Sequence, residues 1–134
     1  MHESPMNAYL ATAGVLVLVV GLVHSVLGEV LIFRRMRNGG FVPTHGAKVI
    51  GAGHVRIIWA SWHIVTVLGW LIGAVLLWLS ARPADAAPGF PLLPAIAMAM
   101  LISAALVLVA TRARHPGWAG LLAVAVLVWL GRTT

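Results

Sequence analysis

The chain has 134 residues, of which 61% are hydrophobic and 9% charged, with a mean hydropathy of +1.01 and a formal net charge of +6. A soluble domain carries about 25% charged residues, so this composition points to a membrane protein. The absence of cysteine excludes structural disulfides, thiolate metal sites, iron–sulfur clusters and thiol redox catalysis.

The segment before the first apolar run holds Glu3 but no Lys or Arg, unlike a cleaved signal peptide, and the run is too long for an h-region. The first span is expected to remain as a membrane helix over about residues 5–33, with Ser4 as N-cap and Pro5 as first helical residue. Gly14, Gly21, His24, Ser25, Gly28 and Glu29 share a wedge of about 140° on its wheel, and Leu16, Val19, Val23, Val26, Leu27 and Val30 fill the other side. The small residues allow close approach by another helix or a flat ligand.

A basic loop follows, with Arg34, Arg35, Arg37 and Lys48 around Gly39-Gly40 and Pro43. The second span is expected over about residues 52–79. Arg56, Trp59, His63, Thr66 and Trp70 fall there in a wedge of about 80°, opposite Ile58, Val65, Leu68 and Ile72. Its polar face should meet protein, cofactor or water rather than lipid. A Pro- and Ala-rich loop containing Arg82 and Asp85 leads to a third span over about 95–111, whose Ala95, Ala99 and Ser103 form a small-residue packing edge. The basic turn 112–117 then leads to a fourth span over about 116–131, near the lower length limit for crossing. There is no internal repeat.

The expected fold is therefore all-α: one transmembrane domain over residues 1–134, an integral membrane four-helix bundle. Arg34, Arg35, Arg37, Lys48, Arg112 and Arg114 lie in the loops after spans one and three, against Arg82 and Arg132 on the other side. The positive-inside rule places both termini outside and both basic loops in the cytoplasm of a bacterial inner membrane. This pattern also accounts for the positive charge, so nucleic acid is not an expected partner. The expected partners are the lipid bilayer and either a second copy or a larger membrane complex. Tyr9, Trp78, Trp118 and Trp129 fall where an aromatic belt would put them, whereas Trp59, Trp62 and Trp70 do not.

Counting from the basic ends puts His24 and His63 about 15–16 Å deep, on facing wedges of neighbouring antiparallel helices. Glu29 lies one to two turns lower, near the level of Arg56, and the two are candidates to neutralise each other. His54 points away, and His115 caps span four. Intramembrane ionisable residues are costly and usually mark function. The first functional reading is a metal or haem site on the cytoplasmic half, serving redox or proton-coupled chemistry. Its candidate metal ligands are His24, His63 and Glu29, with Arg56, Trp59 and Trp70 around the cofactor, which would be haem b or a transition-metal ion. The glycines at 14, 21 and 28 would leave room for a macrocycle. The alternatives are a non-catalytic accessory subunit and a small multidrug-type transporter, in which Glu29 and Trp62 or Trp70 would serve the substrate path.

The elements His24-Ser-Val-Leu-Gly-Glu29 and Trp62-His63 resemble those of a group of small bacterial four-span membrane proteins with H-S-x-x-G-E in the first helix and W-H in the second. The resemblance covers about half the chain and implies a four-span fold without specifying an activity.

Overall fold

The computed structural model describes residues 6–46, 49–82 and 91–133. Ser4, Pro5, Lys48 and Asp85 lie outside them. The protein is all-α, with α1 over Ala8–Leu31, α2 over Ala52–Ser80, α3 over Leu92–Ala110 and α4 over Gly117–Gly131. A 3₁₀ turn, Phe33–Met36, follows α1. α1 with this turn, α2 and α3 are long and apolar enough to cross a membrane. At 1.5 Å per residue the 15 residues of α4 reach only about 22 Å, short of a core of about 30 Å. Less than a third of each apolar window is buried within the protein, so most of their hydrocarbon faces outward.

α1 begins three residues after the expected Pro5 because Asn7 supplies a cap. Its Oδ1 accepts from the Leu10 N–H at 3.1 Å. The same residue ties helix ends together, through Nδ2 to the Gly131 carbonyl at 2.7 Å and its N–H to the Ser80 carbonyl at 2.8 Å.

The chain divides into two compact units, Met1–Val20 with Trp70–Thr134, and Gly21–Gly69. The first holds the main core, where Ala13, Val17, Leu76, Ile96, Met100, Val124 and Val128 from all four helices are buried together. Gly14 and Gly73 let α1 and α2 approach closely here, since a Cβ on Gly14 would lie 2.9 Å from the Gly73 carbonyl oxygen and 2.8 Å from Leu77. Arg82 lies over the Trp78 ring at 4.0 Å and Arg132 over Trp129 at 3.5 Å.

α3 ends in a Schellman motif: Ala113 N–H bonds the Leu108 carbonyl and Arg112 N–H the Val109 carbonyl. Arg112 and Ala113 occupy the left-handed region at φ 51° and 62°, with no glycine at either place. α4 then starts at Gly117, whose N–H is accepted by His115 Nδ1 at 3.0 Å, in line with the capping role expected for that histidine.

In the second unit, Phe33, Pro43 and Val55 are buried beside the 3₁₀ turn. The Met36 carbonyl accepts both Thr44 N–H at 3.0 Å and His45 N–H at 2.8 Å, which folds the loop back. Gly39, at φ 76°, makes the reversal that a side chain would resist.

A left-handed conformation costs an L-residue about 1–2 kcal/mol, which glycine avoids. Ala113→Gly is therefore expected to stabilise the protein by about 1 kcal/mol. The check is its thermal midpoint in detergent by circular dichroism, which should rise above that of the parent.

Candidate functional site

The site is built in the second unit, where α1 and α2 meet at Gly28. A Cβ on this glycine would collide with the Trp62 indole, so the ring sits flat against the α1 backbone. Trp62 Nε1 donates to the His24 carbonyl at 3.1 Å. The His24 imidazole stacks on the Trp62 ring, with centroids 4.2 Å apart and planes 7° off parallel. The buried Phe33 meets the Trp62 ring edge-on at 5.7 Å.

This close approach sets Ser25 against His63 and Thr66. Ser25 Oγ lies 2.9 Å from His63 Nδ1 and donates to Thr66 Oγ1 at 2.9 Å. The hydroxyl bridges the two side chains, and His63 Nε2 lies on the far side of the ring from it.

Nε2 lies 3.8 Å from Glu29 Oε2. That carboxylate oxygen also accepts from Trp59 Nε1 at 3.3 Å, and Oε1 pairs with Arg37 Nη1. Arg37 follows the 3₁₀ turn with an extended backbone. It also donates Nε–H to the Phe41 carbonyl, with its guanidinium 5.4 Å from the Phe41 ring centre. Glu29, Arg37, Phe41, Trp59 and His63 line an open cleft of about 650 Å³. Its aromatic walls meet edge to face, with Trp59 5.0 Å from His63 and 5.8 Å from Phe41.

Of the residues expected at a site, the structure brings Glu29, His63 and Trp59 together around this cleft. His24 lies one turn away against Trp62, and the two histidines are held by different neighbours. Arg56 is exposed, and the cation paired with Glu29 is Arg37. Trp70 belongs to the first unit, where its Nε1 donates to the Leu18 carbonyl at 3.2 Å. His54 is exposed. The space that Gly28 leaves is filled by Trp62 and that beside Gly14 by Gly73 and Leu77, so both glycines serve helix packing. Among the described residues, no group of three or more His, Asp or Glu side chains gathers in a way that could hold a metal ion.

Arg37 and Phe41 escaped the sequence reading because a loop brings them in. The available signal was proximity along the chain: Arg37 is eight residues beyond Glu29, close enough for one tight turn to return it. Ser25 and Thr66 lie on the wedges that the helical period gives them, and the register of α1 against α2 brings them together beside His63.

Replacing Gly28 by Ala places a methyl group where the indole lies and should cost about 1–3 kcal/mol. Arg37→Ala leaves Glu29 without its cation and should cost about 1 kcal/mol, screened by partial exposure, whereas Arg56→Ala should change stability by less than about 0.5 kcal/mol. Thermal or denaturant unfolding of the three variants in one detergent checks the ordering. Equal losses for Arg37→Ala and Arg56→Ala would contradict it.

Compared with models of known protein families, with curated protein sequences and with solved structures, the chain matches none of them.

Proposed function

We propose that the chain is a multi-pass protein of a bacterial inner membrane, a helical bundle with both termini outside, and that its cleft handles protons for proton-coupled chemistry. The observation that carries this reading is that His63 Nε2 lies 3.8 Å from Glu29 Oε2 on the wall of an open cleft. The outward-facing apolar surfaces of the long helices support the membrane setting. Imidazole is the side chain whose ordinary titration falls between about pH 5 and 8. His63, held between Ser25 and Glu29 on the cleft wall, exchanges a proton with whatever occupies the cleft. The resulting imidazolium is then balanced by Glu29 and supported through Nδ1 by Ser25. Arg37 offsets the resting charge of Glu29, so the site costs less to keep in apolar surroundings than a lone carboxylate would.

A resident haem or transition-metal ion is the competing occupant, with His63 Nε2 and Glu29 as donors and the remaining ligands from outside this cluster. A path for cationic substrates fits less well, because Arg37 already satisfies Glu29.

The test is NMR of the histidine rings in the purified protein, with an optical spectrum and elemental analysis on the same sample. The reading expects a colourless, metal-free protein in which the His63 ring responds to the charge of Glu29. Glu29→Gln should move the His63 ring ¹⁵N resonances at fixed pH and leave those of the exposed His54 in place. A Soret band or a stoichiometric metal lost in His63→Ala would replace this reading with the metal one. His63 ring resonances indifferent to Glu29→Gln would remove the coupling on which it rests.

A further inference from the structure

The second unit carries more positive charge than its own side chains neutralise. Arg37 is spent on Glu29. Arg34 and Arg35 in the 3₁₀ turn and Arg56 near the start of α2 are exposed, and none of them meets an acidic partner among the described residues. No acid is left for them. The whole chain has three, and the other two, Glu3 and Asp85, stand before α1 and beyond α2, at the opposite ends of those helices from Arg34 and Arg56. The three arginines also share one end of the helix pair. Ser25 meets His63, Gly28 meets Trp62 and Glu29 meets Trp59, so α1 and α2 run antiparallel in a fixed register. Continued by about one turn, that register brings Arg34 roughly level with Arg56. Phe33 and Val55, each the residue before one of them, are buried.

Apolar side chains adjoin this charge along the same segments. Leu31 and Ile32 precede Arg34, Ile57 and Ile58 follow Arg56, and all four are exposed. A soluble acidic protein would neutralise the arginines but leave that hydrocarbon uncovered. A phospholipid covers both, with its phosphate on the guanidiniums and its acyl chains along the helices. Guanidinium suits the headgroup because its fork of N–H donors bonds two phosphate oxygens at once. We propose that Arg34, Arg35 and Arg56 form a binding site for an anionic phospholipid, held by its phosphate at the end of α1 and the start of α2. The inference rests on the membrane setting proposed above and is independent of proton handling by His63.

The experiment adds phosphatidylglycerol or phosphatidylcholine with the same acyl chains to the full chain in a neutral detergent, and native mass spectrometry counts the lipid retained. The two lipids share a phosphate and tails and differ in net charge. Phosphatidylglycerol should be retained more strongly by more than about tenfold, a preference that falls with added salt. Arg34→Gln, Arg35→Gln and Arg56→Gln should each weaken it about fivefold, the value of one arginine at an anionic surface. The double variant Arg112→Gln/Arg114→Gln removes as much charge as Arg34→Gln/Arg35→Gln and should leave the preference intact. Inorganic phosphate should displace no more lipid than chloride at equal ionic strength; greater displacement would assign the site to free phosphate and overturn the lipid. Equal retention of the two lipids by the parent, or equal losses in the two double variants, also overturns the proposal. Thermal melts identify variants that remain folded, and Arg56→Gln, outside the 3₁₀ turn, decides the question alone if the turn variants unfold. If anionic lipid is not preferred while the His63 ring still responds to Glu29→Gln, the lipid site fails and the proton-handling reading stands. A chain that stays soluble without detergent would instead remove the membrane setting itself.

Discussion

Everything around the cleft depends on the contact at Gly28. A helix surface with any side chain there would push α2 away, because the Trp62 indole occupies the place of the missing Cβ. The indole satisfies its N–H on the His24 carbonyl and takes the His24 ring on its face. With that fixed, Ser25 and Glu29, one residue and five residues beyond His24, fall against His63 and Trp59 without further choice. An antiparallel helix pair has few soft degrees of freedom once its closest approach is set, and here one glycine and one tryptophan set it.

The polar groups form a closed account. Glu29 has two carboxylate oxygens: Oε1 is met by Arg37, while Oε2 receives the Trp59 N–H and lies near His63. Arg37 divides its donors between Glu29 and the Phe41 carbonyl. Ser25 bridges His63 and Thr66, and Thr66 is 4% exposed. Around the cleft, Glu29, Trp59, Ser25 and Thr66 each meet a polar partner, as apolar surroundings require. The exception with spare capacity is His63 Nε2. A group that is oriented by its neighbours yet not used up by them is where chemistry can occur.

Much of this was legible in the sequence because it follows from helical period. The 3.6-residue repeat places Trp59, His63 and Thr66 on one face of α2, and Ser25 and Glu29 on one face of α1. The same repeat also misled. A helical wheel discards height, so Trp70 shares the direction of Trp59 although it lies 11 residues, about 16 Å, further along. It belongs to a different unit and bonds Leu18 instead. Arg56 shows the other weakness of a wheel: it sits at the edge of the polar wedge, and the packed helices leave it exposed. The partner of Glu29 could not be read from periodicity because Arg37 comes from outside any α-helix. Its position is set by the 3₁₀ turn, the buried Phe33 and the two bonds to the Met36 carbonyl. The fourth span was expected near the limiting length, and at 15 residues α4 is short of a full crossing.

These loop interactions also explain why two charges are tolerated among so much hydrocarbon. Had Glu29 been paired across the helix interface with Arg56, both ion-pair members would have been fixed on rigid α-helices, and the cation would have been drawn into the packed seam. Arg37 instead reaches the carboxylate from an extended segment, where the backbone can adjust and the guanidinium stays 22% exposed. Partial access to solvent lowers the desolvation cost that makes buried ion pairs expensive. It also keeps the carboxylate beside His63 rather than drawing it toward a helix-borne cation. The loop thus leaves α1 and α2 free to pack through glycine and indole, while the charge needed beside the imidazole is held in place from the side.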